Sequence, residues 1–259
     1  MVTSTPSTIL VTGASVGFGA AIVRTFAKDG WRVIAASRRL ENLNALRDEL
    51  GANVLPYALD VTDPVAVDGL LSALPKDFAQ VDVLVNNAGL ALGLEPAHRA
   101  SLEDWDRMIA TNISGLVHCT RALLPGMVER KRGHLINIGS VAGEFPYPGG
   151  NVYGATKAFV HQFGLNLRAD LLGTGVRVTD VAPGLSGNTE FSKVRFGGDE
   201  AKAAKVYEGT QPLQPEDIAD AVHWVATRPP HVNINALQMM PTVQAFSPFA
   251  VARETKGSA

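Results

Sequence analysis

The chain cannot form an internal disulfide, because its 259 residues include a single cysteine, Cys119. One unpaired thiol fits a reducing compartment, so a cytoplasmic protein is expected. Long apolar runs are missing too. No stretch approaches the roughly 18 uninterrupted apolar residues that a membrane-spanning helix needs, and Met1–Thr8 is polar, without the apolar centre of an export signal. No membrane partner is expected. An excess of charge of one sign is also absent: 23 basic residues stand against 25 acidic ones, which leaves no field for nucleic acid. The six histidines (His98, His118, His134, His161, His223 and His231) lack ligand-like spacing, so no metal site is expected.

What the chain does have is a core. Apolar residues make up 46% of it and charged residues 19%, enough to bury a sheet between two helical layers. Short β-branched runs alternate with longer amphipathic segments. Strands are expected at 9–12, 32–36, 54–59, 81–85, 134–138 and 176–181. Helices are expected from about Gly17 to Asp29, through Leu50, from Pro64 to Leu74, around Leu102–Val128 and from Tyr153 to about Leu172. This rhythm predicts an α/β fold, a Rossmann-type doubly wound parallel sheet with helices on both faces. Residues 1–259 read as one dinucleotide-binding catalytic domain. Its one irregular stretch, about 184–215, is rich in Gly, Ser, Lys and Glu and is expected to cover the substrate.

The first strand runs directly into Thr12-Gly13-Ala14-Ser15-Val16-Gly17-Phe18-Gly19, which opens the first helix. Glycine at 13 permits a tight turn, while Gly17 and Gly19 let backbone and pyrophosphate approach closely. The helix start presents free N–H groups to the anion. The second strand ends in Ser37-Arg38-Arg39. An NAD-selective site would place an acidic residue there for the ribose 2′-hydroxyl; two guanidinium groups suit a 2′-phosphate instead. The expected cofactor is NADP(H).

Tyr153-Gly154-Ala155-Thr156-Lys157 sets a phenol and an ammonium at i and i+4 on one helix face. A free tyrosine titrates near ~10, and a lysine one turn away is expected to draw that value down toward the working pH. Ile136-Asn137-Ile138-Gly139-Ser140 ends a strand just upstream, placing the Ser140 hydroxyl where it can bond a substrate carbonyl.

These motifs, together with Asn86-Asn87-Ala88-Gly89, Asn112 and Pro183-Gly184, resemble the short-chain dehydrogenase/reductase family over most of the chain. The resemblance implies a catalytic set of Asn112, Ser140, Tyr153 and Lys157. Tyr153 would exchange the proton with the substrate oxygen, and Lys157 would hold the nicotinamide ribose. Ser140 would polarise the carbonyl, and Asn112 would keep a water relay beside Lys157. Asp60 and Val61 would flank the adenine, Asn87 would line the cofactor cleft, and Pro183–Phe191 would embrace the nicotinamide, with Thr189 toward its carboxamide.

Further runs sharpen the resemblance. Among them are Glu95-Pro96-Ala97-His98, Gly149-Gly150-Asn151-Val152, Thr189-Glu190-Phe191-Ser192, Val194-Arg195-Phe196 and Met239-Met240-Pro241. They are similar to the bacterial NADP-dependent 3-hydroxy acid dehydrogenases, which act on serine, allo-threonine and 3-hydroxypropionate-type acids. A small anionic hydroxy acid or aldehyde needs a cation, and Arg195 is the residue expected to bind it, beside Ser140 and Tyr153. Gln244 is a second candidate for that pocket. Glu144-Phe145, Ser186-Gly187-Asn188 and the tail from Phe246 to Ala259 depart from the group, which keeps sulfoacetaldehyde or an aryl β-hydroxy amino acid open as alternatives. A non-catalytic NADP-sensing regulator is a more distant alternative, disfavoured by the retained tyrosine and lysine. The later helices carry apolar residues on more than one face, including Phe159, Phe163 and Leu167; one face must pack on the sheet, and the other suits the homotetramer that the family forms.

Overall fold

The computed structural model describes residues 7–246. Seven strands form one parallel sheet in the order β3-β2-β1-β4-β5-β6-β7. They are β1 (Thr8–Thr12), β2 (Arg32–Ser37), β3 (Val54–Ala58), β4 (Val83–Asn86), β5 (Gly133–Ile138), β6 (Val176–Pro183) and β7 (Ala236–Met239). Residue alternation along the strands divides the core in two. Ile9, Val11, Val33 and Val85 face α1 (Gly17–Lys28), α2 (Leu40–Leu50) and α10 (Pro215–Ala226). Leu10, Ile34, Leu84 and Leu135 face the opposite layer, which includes α6 (Leu116–Glu129) and α7 (Asn151–Asp170). Strands buried on both faces need the near-continuous apolar runs seen in the sequence.

The strand order reverses between β1 and β4, so their C-terminal ends diverge and open a crevice. Thr12-Gly13 and Asn86-Asn87 lie at its two lips. After β6 the chain leaves the sheet, forms α8 (Phe191–Arg195) and α9 (Glu200–Lys205), and returns through a bridge between Ser186 and Leu213.

Several expectations need correction. The helix expected over 64–74 is two short ones, α3 (Pro64–Asp68) and α4 (Leu70–Ala73), broken at Gly69. The helix expected over 102–128 is not uniformly α-helical. It runs as α5 (Leu102–Ile109), a π turn (Ala110–Gly115) and α6. β7 lies outside the expected strands; its burial alternates weakly and it carries no β-branched residue. On α7, Leu167 is on the face that packs into the buried core against the sheet, and Phe163 packs partly against that same core. Apart from Phe246, the tail that departs from the 3-hydroxy acid dehydrogenases lies outside the described residues.

Candidate active site

The phosphate loop is shaped by contacts that exclude side chains. A Cβ on Gly19 would stand 2.3 Å from the Gly13 carbonyl oxygen, and one on Gly13, where φ is +65°, would meet the Ala88 backbone at 2.9 Å. Asn87 closes the other side: its amide donates to the carbonyl oxygens of Thr12 (2.8 Å) and Gly13 (3.1 Å). Asn87 therefore braces the loop from behind. α1 starts after Val16, which gives it no side-chain cap, and has no acid in its first turn, which leaves its N–H groups and positive dipole end for an anion.

Beyond the end of β2, Arg38 takes part in no ion pair among the described residues, whereas Arg39 is engaged twice. Arg39 pairs with Glu190 at 2.9 Å and donates to the Ser15 hydroxyl at 3.0 Å. Asp60 accepts from the Thr62 N–H and hydroxyl, and its carboxyl is held below its usual range by those bonds and by Arg38, against the opposing effect of burial. Val61 is buried, its methyls close over Gly115. An uncapped helix start, side-chain-free glycines and a free guanidinium fit a dinucleotide with a 2′-phosphate.

On the substrate side, β5 ends at Ile138 and Ser140 follows in extended backbone, its Oγ accepting from the Ala142 N–H at 3.1 Å. That hydroxyl reaches the Pro183 carbonyl only at 3.4 Å, a weak bond that leaves its proton free to turn. α7 carries Tyr153 and Lys157, each 8% exposed. The Lys157 ammonium donates to the Ile138 carbonyl at 2.7 Å and lies 5.9 Å from the Tyr153 ring centre.

The π turn delivers Asn112, whose side chain is fully committed. Its Oδ1 accepts from the Leu90 N–H, and its Nδ2 donates to the Leu90 carbonyl and the Thr156 hydroxyl. A Cβ on Gly89 would sit 3.3 Å from Asn112 Oδ1 and 3.7 Å from Lys157 Nζ. Gly89, without a side chain, thus lies beside both.

The expected lowering of the Tyr153 pKa does not hold. Burial pushes it up to about 12, opposed by a hydrogen bond with Ser140 and by the Arg195 charge, while Tyr147 adds to the rise. Burial also brings the Lys157 ammonium down to about 8, with Asp180 acting the other way. Spacing in the sequence displays charge alone, but desolvation is the larger effect for both groups.

The segment after β6 closes over both halves. Thr189 stands against Gly17, within 3.2 Å of where a Cβ would lie, and its hydroxyl accepts from the Phe191 N–H. Arg195 is gripped by aromatics, with its guanidinium carbon 5.2 Å from the Tyr153 ring centre, 5.4 Å from Phe191 and 5.5 Å from Tyr147, to whose hydroxyl it donates. Its Nε is buried without a partner. The Gln244 amide oxygen accepts from the Leu185 N–H at 2.7 Å and lies against Gly184, so it braces the turn after Pro183. Tyr147 escapes a reading of the sequence, which also places Glu190 and Phe191 only in the stretch around the nicotinamide, because the fold alone brings these residues to Tyr153, Arg195 and Arg39. No grouping of potential metal ligands occurs among the described residues, and no helix among them is long and apolar enough to cross a membrane.

The family model for short chain dehydrogenases matches residues 7–197. The NADP-dependent 3-hydroxy acid dehydrogenase of Salmonella typhi is 63% identical over 245 residues, 95% of this chain and 99% of that protein. The serine 3-dehydrogenase of Rhizobium radiobacter is 51% identical over 248 residues, 96% of this chain and 99% of that protein. A solved structure of the closed form of serine dehydrogenase complexed with NADP⁺ superposes with a TM-score of 0.94 at 60% identity, covering 95% of this chain and all of that one. With sheet order, phosphate loop and the Ser140–Tyr153–Lys157 cluster all in place, this chain belongs to the short chain dehydrogenase family.

Proposed function

We propose that the protein is an NADP(H)-dependent oxidoreductase that interconverts a small 3-hydroxy acid and its carbonyl form by hydride transfer. The observation that carries the substrate class is the Arg195 guanidinium packed beside Tyr153. A cation at that distance can hold a carboxylate next to the carbon that reacts. Relatives named for 3-hydroxy acids and for serine, at 63% and 51% identity, support the reading.

When bound, the dinucleotide supplies or accepts the hydride. Gly13, Ala14, Ser15, Val16, Gly17 and Phe18 would hold its pyrophosphate at the α1 start, Arg38 and Arg39 its 2′-phosphate, and Asp60 and Val61 its adenine end. Pro183, Gly184 and Thr189 would enclose the nicotinamide end.

Ser140 would donate to the substrate oxygen and fix the carbonyl against Tyr153. Tyr153, protonated at neutral pH because burial holds its proton, would act as the acid in reduction. In oxidation its phenolate would be the base, so that direction quickens as pH rises. Lys157 would hold the ribose hydroxyls, and Asn112 would keep open the route along bare Gly89 by which the proton exchanges with solvent.

Residues 1–259 act as one catalytic domain in this reading, with 184–215 covering the substrate. A reducing cytoplasm suits the buried thiol of Cys119, whose pKa burial pushes up to about 12. A homotetramer would cover Ile109 and Leu165, which are 41% and 40% exposed; sedimentation velocity reads the assembly directly.

The decisive measurement follows NADPH absorbance with malonic semialdehyde, sulfoacetaldehyde and 2-amino-3-oxo acids, and NADP⁺ reduction with serine and allo-threonine. Turnover of the carboxylates is expected. Turnover of the sulfonate alone would move the assignment to sulfoacetaldehyde, and inactivity on every small anion would refute the clamp.

A further inference from the structure

Asp180 is a buried acid that the proton route above does not use. It lies on β6, 4% exposed, opposite Asn137 in the parallel register. One oxygen, Oδ2, is bonded to His161 Nδ1 at 2.9 Å, and the other has no hydrogen-bond partner. That second oxygen is pressed against Gly139, where any Cβ would fall 2.2 Å from it. Gly139 is the residue between the Ile138 carbonyl, which accepts from Lys157, and Ser140. His161 stands one helical turn beyond Lys157 on α7, so helix and strand meet at this carboxyl.

The acid thus touches the single peptide segment on which both Lys157 and Ser140 depend. We propose that Asp180, held by His161, is a positioning residue that braces the Ile138–Ser140 turn and supplies the buried counter-charge of Lys157. Burying an ammonium without an opposite charge is unfavourable, and the Ile138 carbonyl, the bond partner found for Lys157, carries only a dipole. The groups acting on the Asp180 carboxyl are His161 and Lys157 from α7 and, close by without a hydrogen bond to it, the Gly139 amide, which donates to the Val181 carbonyl at 2.8 Å. Burial raises its pKa and those three oppose the rise. Around Lys157 stand Tyr153 on its own helix, Asn112 from the π turn, the Ile138 carbonyl and Asp180. Asp180 is therefore the one acidic side chain in that set. His161 is partly open to solvent, its side chain 29% exposed, and so ties the buried carboxyl to the surface.

The inference rests on the dehydrogenase reading but not on the choice of substrate. Its test is Asp180→Asn in the full chain, with the Lys157 ammonium titrated by NMR of ¹⁵N-lysine-labelled protein and assigned by its loss in Lys157→Met. This readout needs neither substrate nor cofactor. Without the counter-charge, the Lys157 midpoint should fall by about one pH unit. The alkaline limb of kcat/KM for serine oxidation should move down with it, so that activity relative to the parent drops several-fold more at pH 8.5 than at pH 6.5. His161→Phe removes the hydrogen bond and should shift the midpoint the same way, while His161→Asn, which keeps a donor, should restore part of it. An unmoved Lys157 midpoint in Asp180→Asn, or activity lost equally at every pH, would overturn the proposal. If Asp180→Asn does not fold, His161→Phe carries the same test with the same outcomes. Shifted titration without turnover of any hydroxy acid would reject the substrate reading and leave this one standing.

Discussion

The Arg195 guanidinium carbon lies 5.2 Å from the centre of the Tyr153 ring. A residue from the covering segment therefore brings positive charge to the phenol itself, and that charge favours its ionised form. Arg195→Met should move the rise of oxidation rate to higher pH, because the phenolate loses a neighbouring cation. It should also raise KM for carboxylate substrates roughly ten- to hundredfold. Profiles of kcat against pH check the first effect, using a neutral secondary alcohol to separate it from the second. An unshifted profile would confine Arg195 to substrate binding.

Tyr153→Phe keeps the ring against Phe191, 5.6 Å away, and removes only the hydroxyl that carries the exchangeable proton. Turnover should fall between about 10² and 10⁴-fold, with NADPH binding by fluorescence unchanged. Full turnover in this variant is the outcome that rejects the mechanism.

Arg38 is free of ion pairs among the described residues, while Arg39 is held by Glu190 and Ser15. Arg38→Ala should therefore raise KM for NADPH about tenfold or more, with a smaller effect from Arg39→Ala and little change for NADH. Equal losses with both cofactors would reject 2′-phosphate recognition by these arginines.

Gly139→Ala would drive a methyl into Asp180, and packing strain of that kind costs roughly 1–3 kcal/mol. Urea unfolding should show a lowered midpoint with an unchanged slope. Gly173→Ala is the contrast. Beyond its own chain neighbours, no described atom lies within 4 Å of where its methyl would stand, and its φ of +81° makes the penalty one of backbone conformation only.

The legible parts of the sequence are those whose signal is local. The phosphate loop needs a strand before it, a helix after it and glycines between, all within a dozen letters. Tyr153 and Lys157 share a face by helix geometry alone. The break at Gly69 and the strand at Ala236–Met239 give weak signals, since the one is a single glycine and the other is half exposed. The direction of the Tyr153 shift is misread from the sequence because a five-residue motif displays charge and conceals burial. Arg39–Glu190, Arg195–Tyr153 and Asp180–Gly139 unite distant positions, and no periodicity announces such pairs.

The π turn at Ala110–Gly115 makes spacing as binding a requirement as composition. A π turn holds one residue more than an α-helical turn, so deleting one residue here would let α5 run into α6 as regular helix, and the wide turn that presents Asn112 to Leu90 and Thr156 would be lost. Variant libraries on this scaffold can change letters along that run, but an insertion or deletion within it would dismantle the site while leaving every functional side chain in the sequence.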